Sequence, residues 1–458
     1  METPLNTSTD TIVAIATPPG RGGIGVIRVS GPDSGTLAKL VLGKTPEPRR
    51  VHYGAFSDGD GETLDEGIAL YFEGPNSFTG EDILELQGHG GPVVLDMILQ
   101  QLVQLGCRMA RPGEFSERAF LNDKINLTQA EAIADLIDSS TQQAARSALN
   151  SLQGSFSTLI DELIERLVDL RCYLEAAIDF PDEDIELLAE DKISPRIHLI
   201  QNQLVAILEQ AKQGALIKEG IQVVIMGKPN AGKSSLLNCL AGSSRAIVTN
   251  IEGTTRDILE EQISIDGLPI NFIDTAGLRD PKDQVEQEGI RRALERLESA
   301  DCVLLLEDGT KDSHAEIDPK YRDQLPKSIP IIRLVNKIDL TDATPGIVQR
   351  DDDQQYPSLN ISAKQNLGID QLKTYLKEVV GFKNTTESNF TARRRHLDSL
   401  TNTDQILITA LTQWSATGAA ELLAEDLRAA QKALETITGS FTNEDLLDVV
   451  FSGFCIGK

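Results

Sequence analysis

The segment GKPNAGKS, Gly227 to Ser234, follows the apolar run IQVVIMG and precedes SLLNCLAG. Its spacing fits G-x-x-x-x-G-K-[ST], a phosphate-cradling loop between a strand and a helix. Glycines there let backbone N–H groups approach phosphate oxygens at a helix N-terminus. Asn230, Ala231, Gly232, Lys233, Ser234 and Ser235 would enclose the phosphates; Lys233 would reach the β and γ groups and Ser234 would ligate Mg²⁺. Four companion segments follow in order. Thr249, Asn250, Ile251, Glu252, Gly253, Thr254 and Thr255 form a switch-like stretch whose Thr255 would also reach Mg²⁺ when a γ-phosphate is present. Asp274, Thr275, Ala276 and Gly277 (DTAG) follow LPINFI, where the acid can hold the metal through water. Asn336, Lys337 and Asp339 (in NKID) follow IIRLV; Asp339 can accept hydrogen bonds from guanine N1 and N2. Adenine offers no such donor pair, and an unmet carboxylate costs about 1–3 kcal/mol or more. Ser362, Ala363 and Lys364 (in ISAK) would close on the base. The expected ligand is GTP rather than ATP.

Taken together, these motifs resemble the translation-factor-like branch of small GTPases. One position departs. The residue after DTAG that commonly orients water is Gln; here it is Leu278, which cannot polarise water. Hydrolysis must be organised otherwise. The Asn230 carbonyl could help bind a monovalent cation beside the phosphates, with carbonyls around Thr249, Ile251 and Thr254 completing the shell. Positive charge at that place, supplied elsewhere by an arginine finger, is worth on the order of 10³–10⁵ in rate. Glu286 could orient the water, although residue type alone reads it first as a solvated surface acid.

The elements that must position these residues show three textures. Residues 1–122 read as a small α/β domain, with strands at 11–17, 24–30, 66–74 and 82–88 and a helix at 93–106 stopped by Gly106. Residues 123–218 read as helical, with Ile160, Leu163, Leu167, Leu170 and Leu174 on one core-facing stripe. Residues 219–380 alternate strands and helices, and helical character returns over 381–458. The expected fold is therefore a multidomain α/β and all-α chain, in which a P-loop α/β domain is inserted into a discontinuous helical domain.

The chain of 458 residues carries 70 acids and 43 bases, a net charge of −27. Such a field opposes general adhesion to phosphate backbones, so a nucleic-acid partner needs a local basic patch or another protein. Five scattered cysteines without a CxxC pair argue against a disulfide framework or a zinc site. No basic apolar leader and no run of roughly 18 apolar residues is present. A soluble, cytoplasmic protein is expected, with no membrane attachment.

Other polar residues are less explained by residue type. GRGGIG (20–25) matches a dinucleotide fingerprint in form, but it runs into a strand rather than a helix, so a tight loop between strands is expected. Arg28 and Glu85 each read as exposed-face residues of a strand, GHGG (88–91) as a turn entering a helix, and His89 as weak evidence for a metal. Lys124 lies in a charged segment (111–132) at a domain junction, a common place for a ligand site. The acidic run 180–186 reads as a solvated loop and RRRH (393–396) as a solvated helix start or a tRNA contact. The tail CIGK sets Cys455 fourth from the end, a prenylation position, but ends in Lys458 after an acidic stretch, against that motif.

TPPGRGGIGVIRVSG, ELQGHGG, RPGEFSERAFLNDKINLTQAEAI, LEAAIDFPDE, GKPNAGKSSLLN, GTTRD, DTAGLR, NKID and the terminal CIGK resemble the tRNA-modification GTPase family MnmE, also called TrmE. The resemblance spans nearly the whole chain. It implies an N-terminal folate-binding and dimerisation domain, a helical domain and an inserted GTPase domain. It implies a homodimer whose GTPase domains pair when GTP and K⁺ bind, with Asn230, Thr249, Ile251 and Thr254 at the K⁺-coordinating positions and Glu286 as catalytic glutamate. Arg28, Glu85, Lys124 and Lys458 match positions contacting (6S)-5-formyl-tetrahydrofolate or 5,10-methylene-tetrahydrofolate. An FAD-dependent partner, MnmG, is implied, in a heterotetramer or larger complex that modifies carbon 5 of the wobble uridine of certain tRNAs. Cys455 is then a candidate catalytic residue at the folate pocket. A ribosome-assembly GTPase switch is the alternative, though no KH-like GxxG follows the GTPase segment; a membrane-remodelling GTPase would want a basic amphipathic helix that the sequence lacks.

Overall fold

Strong hydrophobic alternation builds the first sheet. The computed structural model describes residues 10–179, 190–243, 260–274, 300–311, 329–348, 356–383, 390–440, 444–454 and 457. The chain divides into two compact units, one of residues 1–134, 152–197 and 405–458, the other of 135–151 and 198–404.

In the first unit, β1 (Ile12–Ile15), β2 (Gly22–Ser30), β3 (His52–Ser57), β4 (Thr63–Phe72), β5 (Ile83–Gly90) and β6 (Arg108–Met109) form a sheet in the order β3-β4-β5-β2-β1-β6. All neighbours are antiparallel except β1 and β6. Successive side chains of a strand face opposite sides. Ile27, Val29, Leu84 and Leu86 accordingly enter one core beneath α1 (Ser34–Leu42) and α2 (Pro92–Gln104). Ile12 and Ala14 face the other way, into a smaller cluster with Ala110 and Phe115, and Phe115 lies on α3 (Glu114–Leu121). The loop 16–21 joins two strands, so GRGGIG opens no helix. GHGG is not a turn: Gly88 and Gly90 continue β5 and pair with Gly25 and Gly22. The reason is close approach, since a Cβ on Gly90 would lie 2.7 Å from the Gly22 carbonyl oxygen. The helix α1 and the strands β3 and β6 have no counterpart among the sequence-predicted elements.

The leucine stripe of α6 (Ser155–Asp179) is fully buried, and it packs with a second helix, α11 (Ala420–Thr438), which buries Leu423, Leu427, Ala430 and Leu434. Arg171 donates a hydrogen bond to Gln431 across that seam. Segments about 260 residues apart thus share one core, as a discontinuous helical domain requires. A last helix, α12 (Glu444–Ser452), lays Leu447, Val450 and Phe451 against Leu127 and Ala130 of α4 (Leu127–Ile137).

In the second unit, the strands β7 (Ile221–Gly227), β8 (Glu260–Ile265), β9 (Leu268–Asp274), β10 (Cys302–Asp308), β11 (Ile331–Asn336), β12 (Gly346–Val348) and β13 (Ser358–Asn360) are ordered β12-β13-β11-β10-β7-β9-β8. The five inner strands are parallel, and the edge strands β8 and β12 are antiparallel. IQVVIMG and CVLLLED are near-continuous apolar runs because both faces of a parallel sheet are covered. α8 (Lys233–Ser243) follows β7 directly, and α9 (Ile369–Val379) buries Ile369, Leu372 and Leu376 in the same core.

Candidate functional site

Parallel α/β sheets bind ligands at the carboxyl ends of their strands. Here the ends of β7, β9, β10 and β11 bring together Gly227, the backbone of Asp274, Asp308 and Asn336, with Ile225 in register with Asp274 and Asp308 with Asn336. The loop leaving β7 turns through Asn230 at φ 66° and Gly232 at φ 102°, both in the left-handed region. Gly232 is obligatory: a Cβ there would sit 2.3 Å from Asn336 Nδ2. The helix α8 then starts at Lys233, so its unpaired N–H groups end at the loop. Lys233 is half-buried, and Ser234 and Ser235 are exposed.

Asn336 is the keystone of this end of the sheet. Its Nδ2 donates to the Ala231 carbonyl at 2.9 Å, and its Oδ1 accepts from the Ala363 N–H at 3.0 Å. One buried amide therefore ties the phosphate loop to the ISAK loop. Lys337, itself at φ 68°, donates to the Asn230 carbonyl at 2.8 Å and to Asp308 Oδ2 at 2.7 Å. The hydrogen bond from Lys337 pulls the Asp308 carboxyl down to about 2. Ser362 donates from Oγ to Asp339 Oδ1 at 2.6 Å, which fixes the carboxylate plane. Lys364 is exposed at the rim. Asp308 was missed by motif spacing; its only signal was an acid ending an apolar strand beside NKID. Thr249, Asn250, Ile251, Glu252, Gly253, Thr254, Thr255, Thr275, Ala276, Gly277 and Glu286 lie outside the described residues. The residues described suit a guanine nucleotide: a glycine loop for phosphates, an exposed Ser234 hydroxyl for Mg²⁺, and an oriented carboxylate for the base.

A second cluster lies in the other unit. Arg28 and Glu85 face each other across β2 and β5. Arg28 bonds Glu85 Oε1 from Nε at 2.9 Å and from Nη2 at 2.8 Å. Both bonds use one oxygen, and the pair is partly open to solvent. The Arg28 guanidinium also lies 5.8 Å from the ring centroids of both Phe78 and Phe115, within cation–π range. Neither aromatic was singled out in the sequence, because nothing in its local pattern marks a contact with Arg28. Lys124 does not touch the pair; its Nζ donates to the Pro75 carbonyl at 2.8 Å, on the loop that also carries Phe78. Behind the cluster, Arg118 bonds Asp10, Glu81 and Glu114, and Arg108 bonds Asp10 and Glu114. Burial alone would raise the Asp10 carboxyl, but the hydrogen bonds from Arg108 and Arg118 outweigh it and bring it to about 2. On the far end of β5, His89 Nδ1 pairs with Asp65 Oδ1 at 2.7 Å, and no group of three or more His, Cys, Asp or Glu that could hold a metal ion occurs among the described residues.

The chain's end reaches this unit's sheet. Gly457, buried and at φ 95°, packs so closely that a Cβ would meet the Ile15 carbonyl oxygen at 2.5 Å. Ile15 pairs with Ile27, one position from the Ala14–Arg28 pair. Cys455 and Lys458 lie outside the described residues.

A glycine loop between an inner parallel strand and a helix, braced by Asn336 and Lys337 from the end of β11, defines a P-loop nucleotide-binding domain. The model of the GTP-binding protein TrmE N-terminus matches residues 11–124, and that of the MnmE helical domain matches residues 127–455. The tRNA modification GTPases MnmE of Pectobacterium carotovorum and Proteus mirabilis are 56% and 54% identical to this chain, each covering 98% of it and 100% of the relative. The chain therefore belongs to the MnmE family of tRNA modification GTPases. Among solved structures, a GTP-binding protein from Sulfolobus solfataricus in complex with GDP covers 48% of this chain and 67% of its own, at 16% identity and a TM-score of 0.24, too slight a likeness for any residue-level argument. No helix among the described residues is long and apolar enough to cross a membrane.

Proposed function

We propose that this GTPase is potassium-dependent and works, as a homodimer with an FAD-dependent MnmG-type partner, to install an aminomethyl or carboxymethylaminomethyl group at carbon 5 of the wobble uridine of certain tRNAs. The one-carbon unit comes from a tetrahydrofolate held in the N-terminal domain. The observation that carries this reading is the seat of Gly457 against β1, one strand position from the pair that couples Arg28 to Glu85. Glu85 Oε1 is held by Arg28, which leaves Oε2 to accept from the paired N–H donors of a pterin. Arg28 and Lys124 supply the cations an anionic folate requires, and the family resemblance assigns Cys455 and Lys458 to the same site. When bound, the folate supplies a one-carbon group at the oxidation level of formate or formaldehyde.

In the nucleotide domain, Lys233 neutralises phosphate charge, Ser234 and Thr255 hold Mg²⁺, and Asp339 selects guanine. Asn230, Thr249, Ile251 and Thr254 hold K⁺, and Glu286 orients the attacking water in place of the missing Gln. The left-handed turn at Asn230 supports this assignment because Lys337 holds its backbone carbonyl, which leaves the side-chain amide oxygen of this exposed residue as the cation's ligand beside the phosphate cradle. Two comparisons test the proposal. Deleting the last four residues should leave GTP turnover nearly intact and abolish modified wobble uridine in nucleoside mass spectra; unimpaired modification would refute the role of the tail. GTP turnover should be far faster in K⁺ than in Na⁺, and equal rates would remove the cation from the scheme.

A further inference from the structure

Arg28 meets Glu85 through one oxygen alone. Arginine–carboxylate pairs are frequently forked, each oxygen taking one N–H. Here both bonds, from Nε at 2.9 Å and from Nη2 at 2.8 Å, end on Oε1. Two aromatic rings stand against the guanidinium, Phe78 and Phe115, each with its centroid 5.8 Å away. Phe115 is fully buried on α3, and Phe78 is half-buried on the loop from β4 to β5. Neither ring belongs to the strands that carry Arg28 and Glu85, so other contacts must set them. Arg118, 4% exposed, supplies those contacts by gathering three acids. It bonds Glu114, the residue before Phe115, at 3.1 Å, and Asp10, just ahead of β1, at 2.7 Å. It also bonds Glu81, three residues past Phe78, at 3.1 Å. Glu81 Oε2 accepts from Ser30 Oγ at 2.7 Å, and Ser30 lies two positions from Arg28 on the same face of β2. Ser30 Oγ is also 2.7 Å from Oγ1 of Thr79, the neighbour of Phe78, and Asn122 Nδ2 donates to the Thr79 carbonyl at 2.7 Å. One buried guanidinium therefore braces both segments that bring a ring to Arg28.

We infer that Arg118 is a positioning residue for the one-carbon site: through Glu81 and Glu114 it sets Phe78 and Phe115, and these rings keep the Arg28 guanidinium on one oxygen of Glu85, leaving Oε2 for a ligand with paired N–H donors. This deepens the folate reading and rests on it. Swinging Arg28 to fork both oxygens would shift it off rings that attract it by cation–π contact. Such a fork also occupies the oxygen a pterin needs, so the cost falls on the paired-donor end of the ligand. Lysine cannot replace Arg118, because a single ammonium lacks the planar fork that reaches Asp10, Glu81 and Glu114 together.

The test uses the full-length Phe78→Leu, Phe115→Leu, Phe78→Tyr and Arg118→Lys proteins. Leucine keeps apolar bulk and removes the π face; tyrosine at the half-buried Phe78 position keeps the ring. Calorimetry reads affinity for 5-formyl-tetrahydrofolate and for its 2-desamino-2-methyl analogue, which lacks one of the paired donors. The parent should prefer the first by about tenfold or more, the worth of a hydrogen bond to a charged group. In both leucine variants and in Arg118→Lys, affinity for 5-formyl-tetrahydrofolate should fall roughly three- to thirtyfold, the worth of a partly desolvated cation–π contact, while the analogue changes less than about twofold, so the preference collapses. Phe78→Tyr should match the parent, and GTP turnover should stay within about twofold throughout. Ligand-free crystal structures of the leucine variants should show Arg28 forking both oxygens of Glu85. An equal fall for both ligands, the signature of mere loosening, overturns the inference. So does a Phe78→Tyr protein as weak as Phe78→Leu, or Arg28 still on one oxygen in both leucine variants. If Arg118→Lys fails to fold, the phenylalanine variants decide alone. The folate reading fails separately, if the parent, with Arg28 held on one oxygen, binds neither ligand.

Discussion

Replacing Asn336 by alanine should detach two loops at once. The side chain is 2% exposed and makes two hydrogen bonds, one to the phosphate loop at Ala231 and one to the base-closing loop at Ala363. Each bond joins a buried side-chain group to a buried backbone group. Losing such a bond costs about 1–2 kcal/mol when the remaining partner is left unsatisfied. The space opened beside Gly232 admits a water molecule, which argues for the lower half of the unsatisfied-group range. Two bonds give about 2–4 kcal/mol, or roughly 30- to 1,000-fold in the equilibrium that assembles both loops around a nucleotide. Titration with a fluorescent GDP analogue measures that factor directly, and urea unfolding shows how much of it falls on the empty domain. The variant should lose at least about thirtyfold between the two measurements. A GDP affinity within threefold of the parent, with an unchanged unfolding midpoint, would refute the claim that Asn336 couples the loops.

The Lys337–Asp308 contact has a defined pH window. The carboxyl is depressed in the folded state, so its stabilisation is complete above the ordinary value of 3.8 and is lost as pH falls toward about 2. Lys337→Met should remove that protection and move acid unfolding, followed by circular dichroism, to higher pH; superimposable acid transitions would contradict it. Arg333 and Glu307 form a bidentate pair, both sides at most 9% exposed, so Arg333→Ala should destabilise the nucleotide domain by about 3–5 kcal/mol in urea unfolding. Arg28→Ala should weaken binding of 5-formyl-tetrahydrofolate roughly 10- to 150-fold by calorimetry, the worth of a charged hydrogen bond, with GTP turnover unaffected. Asn230→Ala should lower GTP turnover in K⁺ to the rate seen in Na⁺ while leaving GDP affinity nearly unchanged.

The nucleotide site was legible in the sequence because each of its parts is local: strand, glycine loop and helix start lie within a dozen residues, and IQVVIMG is the observed strand β7. What was not legible there is the cross-bracing, in which Asn336 and Lys337 reach back 105 and 107 residues to the phosphate loop. Asp308 became visible only when β10 and β11 were set side by side. In the N-terminal sheet, Arg28 and Glu85 looked like two unrelated surface residues because they are 57 positions apart and meet only when β2 pairs with β5. The same holds for Phe78 and Phe115 around Arg28. GHGG misled because glycines usually signal turns, whereas here they let two strands cross at a distance no side chain permits. The helices shared a simpler code: the three-and-four spacing from Ile160 to Leu174 gave the buried stripe of α6, but not its partner α11, which lies across the inserted nucleotide domain.

The central claim is that one chain joins a GTP hydrolase to a separate one-carbon site built on Arg28 and Glu85. The most direct measurement is nucleoside mass spectrometry of tRNA from cells whose only copy carries Glu85→Gln, alongside GTP turnover of the purified variant. The account predicts wobble uridine lacking its aminomethyl-type group, with GTP turnover within twofold of the parent. Normally modified wobble uridine in those cells would contradict it.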